Sequence, residues 1–523
     1  MISQVKSPAA KPFCPATGTS RVPLSSCILA LLVGLWCVPV CAADPSESTP
    51  NIILIFADDL GWSDLACYGN TLHETPHLDQ LARQGMRFTN GYSAAPICSA
   101  SRAGLLTGKT PARVHFEFVT KETAGSQIPQ PGQTLRSPPF TLDLPLEEVT
   151  IAEALSQLDY QTYFFGKWHL NAHHNGYLGW SPTHGPPNQG FEFATQDFGG
   201  HPYSYKKSPP KPIEKVGEYP ADSLVDAMCE AIQKEHQQPF FMMASHFYVH
   251  TPVKTPCKWL IEKYSEKLEE SSPHRMARIR YAAFVETLDH YVGQLLQALD
   301  ASGLADETVV IFTSDNGGHP EFASNAPLRG SKWNLYEGGI RVPLIVLWPG
   351  TVEPGTTCDQ PVAGYDITPT CVEIASADTT TSSNSAKSVL PESIDGVSFL
   401  PMLQDPQTDL TRDLNWHFPY YHPERGYTDS LTEIGVNDFA VSQTRPQSAI
   451  RSGKYKLLYF DENDRSELYD LSTDISEQND LSASQPMRTM MLRNRLMEYL
   501  YEQPDGAQAR RATPLDRKTS EKN

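Results

Sequence analysis

Five apolar, β-rich runs along the chain end abruptly in polar residues. Ile52–Ala57 runs into Asp58-Asp59, and Tyr160–Phe165 runs into Gly166-Lys167-Trp168-His169. Pro239–Ser245 runs into His246-Phe247-Tyr248-Val249-His250, and Thr308–Thr313 into Ser314-Asp315-Asn316. Val342–Trp348 stops at Pro349-Gly350. Short, nearly continuous apolar runs suit strands buried on both faces. Between them the apolar period becomes helical, over Leu78–Gln84, Thr150–Leu158 and His274–Leu299. In the last of these Ile279, Ala282, Ala283, Val285, Leu288, Val292, Leu295 and Leu299 recur at helical spacing. The alternation predicts an α/β fold: a large, mostly parallel mixed sheet sandwiched by helices. Ligands bind such sheets beyond the carboxyl ends of the strands. The polar residues that follow four different strands are therefore expected to meet at one edge.

The texture changes near the C-terminus. Ala449–Phe460, a turn at Asp461–Ser466 and Glu467–Leu471 read as an antiparallel hairpin, and Met487–Tyr501 reads as a helix. These elements predict a smaller α+β subdomain at 385–505, after a catalytic α/β domain at 44–384. The Ser/Thr-rich Ser376–Ser388 is expected to be a surface insertion, and residues 506–523 a disordered tail. The proline-rich loops Thr120–Pro145, Ser181–Gly190 and His201–Pro220 are long enough to shape a pocket above the sheet edge.

Residues 1–43 carry Lys6, Lys11 and Arg21 and no acidic residue, then the apolar run Ile28–Val40 and Cys41-Ala42-Ala43. This pattern describes a secretory signal, and it predicts an exported protein, periplasmic or secreted. The run falls short of the ~20 apolar residues a membrane span needs; an uncleaved anchor is the alternative. No later stretch looks transmembrane. The chain has 523 residues, with 61 acidic against 42 basic side chains and a net charge of −19. That acidity excludes a broad nucleic-acid surface, because phosphate attracts a basic face. Ten cysteines in this length are too few for a disulfide-built scaffold. Four leave with the leader, so Cys67, Cys98, Cys229, Cys257, Cys358 and Cys371 are each read individually.

Asp58-Asp59 and Asp315-Asn316 follow matching strands. Three carboxylates and an amide would form a hard oxygen cage, suited to Ca²⁺ or Mg²⁺. Either pair alone would read as ordinary turn residues. Cys98 opens the segment Cys98-Ser99-Ala100-Ser101-Arg102, which continues to Thr107-Gly108 and reads as a short helix ending at the glycine. Its place at a helix N-terminus favours an anion nearby. A lone cysteine is more often a small buried hydrophobe.

Cys98–Gly108 resembles the sulfatase signature, in which Cys-x-Pro-x-Arg is followed by Thr-Gly. The likeness continues through Asp58-Asp59, Gly166-Lys167-Trp168-His169, His250-Thr251-Pro252 and Ser314–Gly318. It continues again through Arg329–Lys332, Glu337–Pro343 and Ala449–Leu471. These blocks in order cover the chain from residue 50 to residue 500. The resemblance implies an alkaline phosphatase-like fold and a formylglycine-dependent sulfuric ester hydrolase. Cys98 would be oxidised to formylglycine by a maturation enzyme. A divalent cation, calcium by family and magnesium as the alternative, would lie among Asp58, Asp59, Cys98, Asp315 and Asn316. A thiol would trap the sulfuryl group, whereas one hydroxyl of an aldehyde hydrate attacks sulfur and the other later expels sulfate. Arg102 would hold the hydrate, Lys167 and Lys332 the sulfate oxygens. His250 would serve the leaving oxygen, and His169 would take the proton that releases sulfate. The sequence departs from the signature at Ala100, where proline is usual. The substrate implied is a sulfated small molecule or saccharide. A phosphoesterase on the same fold, and a non-catalytic saccharide-binding protein with unmodified Cys98, stay open as alternatives.

Overall fold

A computed structural model describes residues 49–195, 197–205, 210–272, 274–376, 389–423, 444–501 and 508–515. The signal segment at 1–43 and almost all of the Ser376–Ser388 insertion lie outside the described residues. Eight strands form one sheet: β1 (Asn51–Ala57), β2 (Met86–Phe88), β3 (Gln161–Gly166), β4 (Phe193–Thr195), β5 (Phe240–Ser245), β6 (Thr308–Ser314), β7 (Leu344–Leu347) and β8 (Thr356–Cys358). Their order is β8-β2-β7-β6-β1-β5-β3-β4. β7 runs antiparallel to both neighbours, and the other pairings are parallel. The sheet is thus the mostly parallel, mixed one that the apolar runs predict.

Burial on both faces is visible within β1 itself. Ile53, Ile55 and Ala57 pack with Leu78 and Leu81 of helix α1 (Pro76–Gln84) and with two further helices. Ile52, Leu54 and Phe56 face the opposite layer, with Ala103, Leu105 and Leu106 of α2 (Cys98–Thr107) and Ile151, Ala154 and Leu155 of α3 (Ile151–Ser156). The first layer is completed by α4 (Ser223–Ile232) and the long α6 (Arg275–Ser302), which also packs on α5 (Lys258–Lys267). The second is completed by α7 (Ile367–Ser376). Thr150 caps α3: its side chain accepts from the Glu153 N–H, and Glu153 reaches back to the Thr150 N–H.

A four-stranded antiparallel sheet follows: β9 (Asp413–Phe418), β10 (Gln447–Ser452), β11 (Tyr455–Phe460) and β12 (Arg465–Asp470), in that order. The single strand expected over Ala449–Phe460 is two. Gly453, at φ +55°, turns the chain between β10 and β11, and Ser452 pairs with Tyr455. One face of this sheet takes α8 (Pro486–Tyr501) through Leu492, Leu496 and Leu500. The other packs Leu414, Trp416, Ala449 and Leu458 against Ile97, Ala100 and Trp333, close to the start of α2.

The tail expected to be disordered from 506 is docked at 508–515. Arg510 donates to the buried carboxylate of Glu117, and Thr513–Pro514 pair with Leu135–Arg136. An isolated buried carboxylate is costly, so Glu117 needs that guanidinium. Among the described residues no helix is long and apolar enough to cross a membrane.

Candidate active site

β6, β1, β5 and β3 are successive neighbours, and their register brings their carboxyl ends level. Ala57 lies opposite Ser314, and Phe56 and Gly166 both lie opposite Ser245. The next residues of each strand therefore emerge together. Asp58 is pinned on both sides of its peptide: its N–H donates to Tyr248 O (2.8 Å) and its carbonyl accepts from Val249 N–H (2.7 Å). Asp59 sits at φ +63°, a conformation that aspartate tolerates better than most residues, and its N–H donates to Asp315 Oδ1 at 3.0 Å. Leu60 N–H donates to Ser314 Oγ at 3.0 Å.

Helix α2 starts at Cys98, so the residue lies in the first helical turn, and it ends at Gly108 with φ +65°. A Cβ at 108 would come within 2.6 Å of Ile394, so the glycine serves both turn and packing. The first bond of the helix runs from Ser101 N–H to Ile97 O. Ala100 lies before that bond, so its N–H is one the helix leaves free, and proline would fit the same turn. The departure from the signature therefore leaves local backbone geometry intact.

Around Cys98 stand three buried carboxylates and three buried cations. Lys167 Nζ is 2.6 Å from Asp58 Oδ2, and Lys332 Nζ is 2.7 Å from the Asp59 carboxylate. Arg102 donates through Nε and Nη2 to Asp315 Oδ2 (3.2 and 2.8 Å) and through Nη1 to Ser245 Oγ (2.6 Å) and Lys167 O (2.8 Å). Asn316 Nδ2 donates to Asp59 Oδ1 at 2.8 Å. Cys98 Sγ lies 3.8 Å from that same oxygen. Donor atoms of Asp58, Asp59, Cys98 and His250 all fall within 4.8 Å of one another.

This packing sets the charge states. Burial alone would raise Asp58, but Lys167, His250, His201 and Arg102 outweigh it and hold the carboxyl well below its usual range. Asp315 moves the other way, to about 7, because burial and the Asp58 charge exceed the help from Arg102 and Lys167. Burial pushes the Cys98 thiol far up, despite Lys167 and Lys332. An unmodified Cys98 is thus a neutral thiol, a poor nucleophile. Burial and the surrounding cations hold His169 and His250 well below the ordinary imidazole value.

All ten residues singled out in the sequence lie at or beside this edge, with pairings of their own. Arg102, expected on the Cys98-derived group, spans Asp315, Ser245 and Lys167. Lys167 and Lys332, expected on an anion, each close on one carboxylate of the Asp58-Asp59 pair. His250 Nε2 stands 3.6 Å from Asp59 Oδ2 and its Nδ1 donates to Thr251 O at 2.6 Å. A proton added to this ring therefore sits on Nε2, facing the site. His169 is buried at φ +58°, and its Nδ1 has no hydrogen-bond partner among the described residues. Sequence reasoning missed Ser245, whose only signal is that it ends β5, and set aside His201 as a histidine that could line a sugar pocket or do nothing. His201 Nε2 is 3.7 Å from Asp58 Oδ2, and its ring stacks on His250. It follows only the three-residue β4, six positions back, and no apolar run announces that strand.

The donor chemistry fits a hard divalent cation. Asp58 Oδ1 and Asn316 Oδ1 are buried and have no hydrogen-bond partner among the described residues, although buried oxygens are normally satisfied. Asp58, Asp59, Asn316 and the adjoining Asp315 supply oxygen ligands of the kind Ca²⁺ and Mg²⁺ take. Three carboxylates facing three cations are already balanced. A divalent cation would leave the pocket with excess positive charge, which suits an anionic ligand.

Comparison with known proteins agrees with this geometry. The family model described as Sulfatase matches residues 50–377, and that described as N-sulphoglucosamine sulphohydrolase, C-terminal, matches residues 331–504. Human arylsulfatase A is 32% identical over 464 residues, covering 83% of this chain and 78% of that protein. A sulfatase of Formosa agariphila is 30% identical over 541 residues, covering 90% and 93%. The solved structure of Ps i-CgsB in complex with k-i-k-neocarrahexaose superposes with a TM-score of 0.64 at 25% identity, covering 86% of this chain and 93% of that one.

Proposed function

Because the chain belongs to the sulfatase family of the alkaline phosphatase superfamily, and is thereby a sulfuric ester hydrolase, we propose that it cleaves sulfate monoesters of saccharides at Cys98, matured to formylglycine. One observation carries the reading. Cys98 opens a helix inside a cluster of three carboxylates, three cations and two imidazoles, yet burial keeps its thiol neutral. The position suits a nucleophile, and the thiol itself does not. Formylglycine, when formed, supplies as its hydrate a hydroxyl nucleophile and a second hydroxyl through which sulfate can leave.

Asp58, Asp59, Asp315 and Asn316 would hold a divalent cation, calcium by family, with the residue at 98 beside it. Such an ion supplies Lewis acidity toward a sulfuryl oxygen and lowers the pKa of a neighbouring hydroxyl. The chain's own residues do the rest. Lys167 and Lys332 hold preorganised positive charge where negative charge grows on the sulfuryl oxygens. Arg102 orients Asp315 and, through Ser245 and the Lys167 carbonyl, the end of β3. His250 serves the leaving oxygen through Nε2, the nitrogen that Thr251 leaves facing the site, with the negative charge of the bound sulfate ester favouring the protonated ring. His169, with Nδ1 uncommitted, accepts the proton that accompanies sulfate release.

The saccharide class is supported by the likeness to Ps i-CgsB, solved with k-i-k-neocarrahexaose. Export through the 1–43 segment, cleavage of that leader, and maturation of Cys98 by a formylglycine-generating enzyme belong to the same proposal. So does a division into a catalytic part at 44–384 and an α+β part at 385–505. The test is mass spectrometry of the Cys98 peptide from the native host, beside assays with 4-nitrophenyl sulfate and 4-nitrophenyl phosphate. Formylglycine with sulfate preference is the expected result. An unmodified thiol, or a strong phosphate preference, overturns the reading.

A further inference from the structure

Resting on the sulfatase reading, we propose that Tyr177 and His201 form the subsite for the sugar ring that bears the sulfate ester. Tyr177 packs against that ring, and His201 couples its position to His250. Tyr177 lies on the loop after Lys167-Trp168-His169 and is 40% exposed, while His169 and His201 beneath it are buried. Its ring meets those of His169, His173 and His201 at 6.1, 6.3 and 5.6 Å between centroids. It thus stands between solvent and the proposed proton carriers, where a leaving group must pass.

The phenol hydroxyl is hydrogen-bonded to His201 Nδ1. Tyr177 is therefore tethered through its polar end, and what it offers a ligand is its apolar face. A tyrosine face gives large contact area for little lost rotamer freedom. A saccharide ring, apolar on its faces and polar at its rim, matches that offer. Beneath that face His201 is buried, with Nδ1 toward Tyr177 and Nε2 toward Asp58 Oδ2, so it links the outer ring to the carboxylate cluster.

His201 also reaches the reaction. Its ring lies nearly parallel to His250, 4.4 Å away with 14° between planes. The two imidazoles face the paired carboxylates side by side, His201 toward Asp58 Oδ2 at 3.7 Å and His250 toward Asp59 Oδ2 at 3.6 Å. Asp58 is shared with Lys167. Moving Tyr177 therefore moves His201, and His201 sets the plane of His250. In this arrangement Tyr177 is a specificity-determining residue and His201 a positioning one.

The test uses the full-length matured enzyme with 4-nitrophenyl sulfate and a panel of oligosaccharides from carrageenan, chondroitin sulfate and heparan sulfate. Tyr177→Ala should lose at least about tenfold more kcat/KM on the panel's best saccharide than on the aryl sulfate, mostly through KM. Tyr177→Phe keeps the face but releases His201, so its loss should fall on kcat and affect both substrates alike. Unchanged unfolding midpoints confirm that both variants fold. Equal losses on both substrates for Tyr177→Ala, or no loss in either variant, overturn the subsite. A wild type that cleaves the aryl sulfate and no saccharide overturns it while leaving the sulfatase reading intact. A wild type that cleaves neither overturns both.

Discussion

The protein buries two dense ionic clusters, and they differ in what they leave unsatisfied. One lies at the strand ends around Cys98. The other joins the short turn Glu337–Ile340 to the C-terminal sheet. In the second, Lys456 Nζ bridges Glu337 (2.8 Å) and Glu477 (3.0 Å), Arg341 and Tyr92 reach Glu337 (3.2 and 2.7 Å), and Glu337 N–H donates to Glu477 (2.6 Å). Arg451 closes on Tyr92. Both clusters pair buried carboxylates with buried lysine and arginine. The second ties Lys456 of β11 and Arg451 of β10 to the turn that follows Lys332. The first leaves Asp58 Oδ1, Asn316 Oδ1, His169 Nδ1 and His201 Nε2 without a hydrogen-bond partner among the described residues, against Glu477 Oε1 in the second, which still faces Lys456 Nζ at 3.0 Å, and it stands beneath a half-exposed tyrosine. Buried charge by itself is weak evidence of function, because structural ion-pair networks carry it too. Buried groups left incomplete at a mouth are the better sign.

The sharpest way to break this contrast is to remove one residue from each cluster. Cys98→Ala should cut sulfate-ester turnover by ~10⁴-fold or more and leave thermal unfolding unchanged. A comparable loss of stability would mean that Cys98 is a core residue. Lys456→Met should do the reverse. Leaving Glu337 and Glu477 unbalanced should cost about 3–5 kcal/mol in urea unfolding, with turnover per folded molecule within a few-fold of wild type. If Lys456→Met silences the folded enzyme, the two clusters are not separable.

Calcium should divide the clusters next. At a hundredfold excess over Kd it should stabilise the protein by about 2.7 kcal/mol. Asp58→Asn should abolish that gain and Lys456→Met should retain it, as read by unfolding midpoints with and without chelator. The smallest effect concerns pH. Burial and the neighbouring Glu337 raise Glu477 from 4.5 to about 7. A raised carboxyl contributes stability that is complete below 4.5 and lost as pH rises through about 7. Measured against Glu477→Gln, the wild type should therefore lose on the order of 3 kcal/mol across that window. Parallel stability profiles would show that the second cluster carries no such strain.

Much of this was legible in the chain. Apolar runs of six or seven residues ending in Asp-Asp, Lys-x-His and Asp-Asn announced buried strands with chemistry at their ends. Gly108 marked the end of the helix that Cys98 begins. The break at Gly453 was hidden inside an apolar run, because a two-residue turn barely interrupts the pattern. The docking of 508–515 was hidden because its signal is one arginine answering Glu117, far away in the chain. His201 was set aside because only the short β4 precedes it, and its place is fixed by Tyr177, Asp58 and the stacked His250 ring, all distant from it in the pattern.

Periodicity and composition by themselves determined the layers, the strand ends and the residue types that gather there. Burial on two faces permits few other patterns, and chemistry at a sheet edge must follow the strand. Which cation meets which carboxylate was decided only in three dimensions. Asp59 and Asp315 are 256 positions apart, and the register of β1 on β6 is what sets their contact. Lys167 and Lys332 take Asp58 and Asp59 because the low dielectric beneath the mouth makes the nearest opposite charge the strongest partner. The chain specified which groups would be present; the packing decided which of them would be left incomplete.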